Sequence, residues 1–485
     1  MVVSRSSTAL LAAGCLLGSA ETLYVDCLQG NDAALGTSSQ SAWRTLLPVN
    51  RKVFQSGDRI LLKSGCSWTG QLAPRGSGAE GRPIILDQYG AGPKPAIHGN
   101  GGVEDAVHLY NVEYWELRNL EVTNRGRSAK FRRGVHIELN NFGEARHIYL
   151  QNLVVHDVNG DLSRKENGGI IWTNGGAIRS RFIDMRIEGC QVYRVDRSGI
   201  VARSSYWRRY LWYPSLNVVI RNNRVDDVGG DGITPWACDG ALIERNVVSN
   251  CNRRASGYNA GIWPWSCDNT LVQYNEVFQV RGTRDGQGFD SDGNCRNTVI
   301  QYNYSHDNEG GFVLICEDGS HSRRVSAGNV GTIVRYNVSE NDGTRTFHIG
   351  GPVKNARIHN NTVYIGPGRD VQLVIAGQWS GRPEDIRFDS NIFYAAGTGR
   401  YGSIIRKFED GTHAIMQGLP GVTFEKNVFF GNHIWRPPDA LALLVDPLFE
   451  GVGTGLNRYR LKPGSPAQDR GMPSIPPDRE HPPVR

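Results

Sequence analysis

Eleven short segments of this chain share one pattern, and that pattern leaves few folds open. Aligned, ELRNLEVTN, YLQNLVVHD, RIEGCQVYR, IRNNRVDD, IERNVVSN, VQYNEVFQ, IQYNYSHD, VRYNVSEN, IHNNTVYI, FDSNIFYA and FEKNVFFG put Leu120, Leu153, Cys190, Asn223, Asn246, Asn275, Asn303, Asn337, Asn361, Asn391 and Asn427 in one column. The intervals run from 23 to 37 residues, the shortest reading as a basic coil and the longer ones as that coil plus loop insertions. Apolar and polar residues alternate around the column, as in strands. A short strand recurring at this period buries its apolar side only by stacking on its own repeats. That predicts a parallel β-solenoid with capped ends. The Asn column has its own reason: an inward Asn at a turn can bond neighbouring main chain and the Asn one coil away, forming a ladder. Asn303-Tyr304-Ser305 and Asn337-Val338-Ser339 also spell glycosylation acceptors, but a place in the ladder would bury both, so the ladder is the better reading.

Composition agrees. A chain of 485 residues could hold two or three domains, yet repeat folds run longer as one unit. No long amphipathic helix pattern stands out. The net charge of +6 comes from 54 basic and 48 acidic residues scattered along the chain. Nucleic acid is therefore not expected as a partner, and an acidic polysaccharide remains open. Residues 1–20 read as a signal peptide: Arg5, then the apolar stretch Ala9 to Gly18, then the small residues Gly18-Ser19-Ala20. A lipoprotein site at Cys15 is the weaker alternative. No later apolar run approaches the ~18–20 residues of a membrane span, so a secreted protein, extracellular or periplasmic and monomeric, is expected. An oxidising compartment permits disulfides, and Cys27 with Cys66 is the expected pair. Cys238, Cys267 and Cys295 share one repeat position and should stack. The sequence has no C-x-x-C pair, which argues against a structural zinc site.

With the Asn column, the Gly-Ile and Gly-Phe strand starts and the ending DPLFEG…YRLKPGSPAQDRG in view, the chain resembles the secreted right-handed parallel β-helix proteins of the pectin-lyase-like superfamily. The runs EYWELRNLEVTN, RRGVHI and VHDVNG are similar to its carbohydrate-active members. The resemblance extends from about Leu23 to Gly471. It implies an all-β right-handed parallel β-helix of about eleven or more coils, filling residues 21–471 as one domain, with 21–97 as N-terminal cap and first coils. Residues 472–485, rich in Pro, are expected to be a disordered tail. The superfamily holds lyases, hydrolases, epimerases and adhesins, so the fold does not choose a reaction.

The choice rests on a second strand in each coil, starting after Gly at Ile170, Ile200, Ile233, Ile262, Phe289 and Phe312. With that apolar residue inward, positions one and three later face outward. They are Ile171 and Thr173, Val201 and Arg203, Thr234 and Trp236, Trp263 and Trp265, Asp290 and Asp292, then Val313, Ile315 and Glu317. Trp236, Trp263 and Trp265 would make an exposed aromatic platform for a row of sugars. Asp290 and Asp292 share a face at ~6.5–7 Å between Cα atoms, near the separation at which carboxylates hydrolyse glycosides. Glu317 is the second candidate acid, and Glu309 a substitute. Asp285, Asp231, Arg203 and His348 surround the patch as polar contacts.

The function expected is hydrolysis of glycosidic bonds in an extracellular polysaccharide or oligosaccharide, without a cofactor. Two alternatives use the same residues. A β-eliminating lyase on a uronic-acid polymer would hold Ca²⁺ on Asp285, Asp290, Asp292 and Asn294, but the neighbouring outward positions offer it no Lys base. Lys165 and the Lys130, Arg132, Arg133 group lie on long loops that could fold over the patch. A non-catalytic carbohydrate-binding adhesin would keep the Trp platform and has no need of the acid pair.

Overall fold

The computed structural model describes residues 19–407, 413–451 and 455–473. Residues 1–18 of the expected signal peptide (1–20) and residues 474–485 of the expected tail (472–485) lie outside them. The chain winds as a right-handed parallel β-helix, each coil adding one strand to each of three faces. One face is a 15-stranded sheet that runs from Thr22–Val25 to Val422–Glu425, with each strand paired parallel to the equivalent strand of the next coil. A second face runs through Glu121–Asn124, Glu276–Phe278, Tyr304–His306 and Val338–Glu340. The third begins at Asp105–Tyr110, and its later strands include Gln287–Ser291, Gly311–Cys316 and Arg345–Gly350. Among the described residues the single α-helix is Leu47–Arg51, in the N-terminal part.

The predicted ladder occupies the corner between the first two faces. Asn303 Nδ2 donates to Val272 O and to Asn337 Oδ1, both at 3.0 Å, and its Oδ1 accepts from Asn275 N and Nδ2. The same bonds repeat from Asn223 to Asn427, where Asp439 closes the series by accepting from Asn427 N and Nδ2 at 2.9 Å. Asn303 and Asn337 are wholly buried, so both sequons belong to the ladder. The residue before each ladder Asn turns the corner in the left-handed region: Tyr274, Tyr302 and Tyr336 have φ of 54°, 54° and 57°. Non-Gly residues adopt that conformation at a cost of roughly 1–2 kcal/mol, which the ladder bonds offset coil by coil.

Inside, Phe289, Phe312 and Phe347 stack edge to face at 5.9 and 5.5 Å. Cys238 N donates to Cys267 Sγ and Cys267 N to Cys295 Sγ, the expected stack of thiols. Cys27 and Cys66 form a disulfide. Met472, placed in the tail by sequence, is buried and donates its N–H to Thr362 Oγ1.

Candidate active site

The third face carries the site. Phe289 and Ser291 point inward, Ser291 Oγ meeting Thr332 Oγ1 at 3.0 Å, so Asp290 and Asp292 point outward as predicted. Cross-strand register extends their two columns. Thr234, Trp263, Asp290, Leu314 and His348 form one; Arg203, Trp236, Trp265, Asp292 and Cys316 form the other. The next coil departs from the sequence expectation by one residue. Gly311 pairs with Gln287, and Val313 with Phe289, so Val313 and Ile315 are inward while Leu314 and Cys316 face outward. Phe312, and not Gly311, therefore stands opposite Gly288, and a Cβ on Gly310 would lie 1.7 Å from Asp285 O.

Asp292 lies on a pocket of about 130 Å³ lined by Trp207, Trp265, Cys316, Glu317, His321 and Trp379, among others. That is below the ~300–1,000 Å³ of drug-sized sites. Three loops make its walls. The loop after Ser204 carries Trp207, 4.6 Å from Trp265 and 5.7 Å from His321 between ring centroids. It is tied down by Arg209, which bonds Asp268 Oδ1 and Oδ2 at 2.6 and 2.9 Å, and Asn294 Oδ1 and O at 2.8 Å each. Its backbone also pairs with the loop after Cys316, through Arg209 N to Val325 O and Tyr210 N to Arg324 O. Trp379 comes from the third, three coils beyond Asp292, its ring 5.6 Å from His348.

The carboxylates differ in environment. Asp292 Oδ1 accepts from Gly293 N at 2.5 Å and from Cys316 Sγ at 3.1 Å, which leaves Oδ2 uncommitted among the described hydrogen bonds. Burial raises the Asp292 carboxyl, while the Cys316 and Gly293 bonds and the Lys165 charge oppose the rise. Asp290 is 3% exposed, its Oδ1 has no hydrogen-bond partner among the described residues, and burial with the Asp292 charge pushes it well up. Asp285, part-exposed in the turn entering the strand, is pushed up to about 7 by burial and then by the Asp292 charge, against Arg345 and Lys165. One oxygen each of Asp290 and Asp292 lie within 4.8 Å, short of the ~6.5–9.5 Å that an inverting pair needs.

Other sequence candidates take structural places. Trp263 and Trp236 are not an open platform. Lys165 Nζ lies 4.5 Å from the Trp263 ring, and the Arg203 guanidinium 3.9 Å from the Trp236 ring, which also meets Trp265 at 3.8 Å between centroids. Trp265 alone of the three lines the pocket. Asp231 is wholly buried and accepts from Lys165, Arg197 and Trp263 Nε1. Arg203 is held by Glu166 at 2.7 Å. Glu309 is ion-paired with Arg281 at 2.6 Å and held below the usual carboxylate range. Glu317 reaches the pocket but is spent on the loop: it accepts from Asn294 N at 3.0 Å and Ser326 Oγ at 2.6 Å. His348 is buried. Asn294, the fourth oxygen of the Ca²⁺ set, gives its Oδ1 to Arg209 and Ala327 N instead. Lys165 does fold over the patch, but its ammonium is taken by Asp231 and Tyr258 O, and no Lys or Arg lines the pocket among the described residues.

Sequence reasoning missed Trp207, His321, Trp379 and Cys316. The only trace of the first was the 33-residue interval before Asn223, which announced an insertion without its destination.

Comparison with known proteins bears on the fold and on the class of activity. Residues 168–363 match the family described as right handed beta helix region. The chain is 28% identical to a lacto-N-biosidase of Bifidobacterium longum, over 88% of this chain and 32% of that protein, so it spans about a third of the length of this curated relative. Two crystal structures of a GH136 lacto-N-biosidase from Eubacterium ramulus are also similar. The selenomethionine form has a TM-score of 0.64 at 29% identity, covering 74% of this chain and 67% of that one. The native form has a TM-score of 0.63 at 30% identity, covering 71% and 64%.

Proposed function

We propose that the protein is a secreted glycoside hydrolase with lacto-N-biosidase activity, removing a sugar unit from an oligosaccharide or glycoconjugate. The observation that carries this reading is the pairing of Asp292, one oxygen fixed and the other uncommitted on a walled aromatic pocket, with Asp285, whose carboxyl sits near neutrality. An acid useful at neutral pH has a pKa near the working pH, and two carboxyls pushed apart by their surroundings divide the roles of acid and base. Asp285 is the general acid for the leaving oxygen. Asp292 Oδ2 is the nucleophile, with Gly293 N–H and Cys316 S–H steadying Oδ1 as charge moves. Asp290, closed off beneath them, stays protonated and sets the local field. Trp207 and Trp265 flank the sugar ring. A carboxylate nucleophile implies retention of anomeric configuration through a covalent sugar–enzyme ester, and no Lys or Arg among the described residues lines the pocket to serve as the base of a β-elimination.

The test is product analysis on a panel of oligosaccharides carrying lacto-N-biose ends, beside uronate polymers. Reducing ends should appear with no ultraviolet-absorbing unsaturated product. Asp292→Asn should abolish turnover and keep the fold. Asp285→Asn should lose most activity on natural substrates yet retain it on aryl glycosides whose leaving group needs no proton. Full activity in Asp292→Asn would end this assignment.

A further inference from the structure

Beyond its part in the proposed chemistry, the acid cluster combines a thiol with two carboxylates. Asp290, Asp292 and Cys316 each offer one ligand atom, all within 4.8 Å of one another. Cys316 Sγ and Asp292 Oδ1 are 3.1 Å apart, and zinc bonds of ~2.0–2.3 Å set neighbouring tetrahedral ligands roughly 3.3–3.8 Å apart, so the two need to part by only a few tenths of an ångström to share one ion. Asp290 Oδ1 is buried and without a hydrogen-bond partner among the described residues, an uncompensated acceptor of the kind a cation satisfies. Cys316 lines the pocket, so an ion has a way in.

We propose that Asp290, Asp292 and Cys316 form a site for a thiophilic divalent cation of the zinc and cadmium class, and that its occupancy closes the pocket. A thiolate with two carboxylates selects such ions over Ca²⁺ and Mg²⁺, which take oxygen ligands. Three protein ligands leave the fourth position toward the pocket, where a sugar would otherwise sit. On binding, the thiol proton and the proton of Asp290 pass to solvent, and the Cys316 bond to Asp292 is replaced by the metal bond, so binding tightens as pH rises. Closure of the pocket rests on the functional reading above; the binding of the ion does not.

Two readouts keep these apart. Metal-free protein is titrated with Cd²⁺, following the ultraviolet thiolate-to-cadmium charge-transfer band, and Zn²⁺ is then added to displace it. The band should reach one equivalent, vanish in Cys316→Ala, and need at least roughly tenfold more Cd²⁺ in Asp290→Asn, a variant that leaves the thiol in place. It should survive His321→Ala, which dismantles the neighbouring Glu317, Asp318 and His321 group, and excess Ca²⁺ or Mg²⁺ should leave it unchanged. Zn²⁺ should inhibit hydrolysis competitively, with recovery on chelation. A band that persists in Cys316→Ala, or disappears in His321→Ala, would overturn the site. A stoichiometric band with undiminished hydrolysis would overturn the closure.

Discussion

Replacing Arg209 by Ala should open the pocket without unfolding the protein. The Arg209 and Asp268 side chains are 14% and 15% exposed, and the guanidinium makes two bonds to that carboxylate and two to Asn294. Breaking a buried ion pair on one side costs ~3–5 kcal/mol, and the partial exposure places this one at the low end, about 3 kcal/mol. The backbone bonds to Val325 and Arg324 and the bonds of Ser266 and Asn294 to Trp207 O remain, so the loop keeps part of its docking energy. A loss of about 3 kcal/mol lowers the docking equilibrium roughly 100-fold, and apparent substrate affinity falls with the competent fraction. The expected outcome is a kcat/KM about 10–100-fold lower, mostly through KM, with little change in the unfolding temperature, because none of these bonds belongs to the ladder or the Phe stack. Arg209→Lys, which keeps the charge and loses the fork, should fall between. Steady-state kinetics read the activity, and amide exchange over 205–213 reads the loop independently of any substrate. Unchanged exchange there, with kcat/KM within about twofold of the parent, would refute the argument.

The carboxylates and the ladder carry three more predictions. Activity should decline as pH rises through about 7, where Asp285 loses the proton it must donate. Lys165→Met removes a charge that lowers both Asp285 and Asp292, so both limbs of the pH–rate profile should move to higher pH; a shift of either limb downward would contradict the placement of Lys165. Asn303→Ala strands the N–H and one Nδ2–H of Asn275 inside the coil. At about 1–3 kcal/mol for each unsatisfied buried donor, the loss should be about 2–6 kcal/mol by denaturant unfolding, and a loss under about 0.5 kcal/mol would mean the ladder contributes no net stability.

The sequence by itself determined the solenoid, its coil spacing, the Asn ladder, the stack of Cys238, Cys267 and Cys295, and the face bearing Asp290 and Asp292. Each of these depends on a local rule repeated coil after coil: alternation of side chains along a strand and identity of residues one coil apart. Tertiary structure decided everything that depends on insertions. The outward residue beside Asp292 is Cys316 and not Ile315 because Gly311 pairs with Gln287, one residue off the Gly-to-Gly alignment, and a one-residue slip exchanges the faces of every residue after it. Trp236 and Trp263 are covered because Arg203, pinned by Glu166, and Lys165, pinned by the buried Asp231, lie across them. The pocket exists because Arg209 crosses from one loop to ligands 59 and 85 residues further along the chain. Ion pairs of that span follow from where the loops meet, and no periodicity in the sequence encodes that meeting.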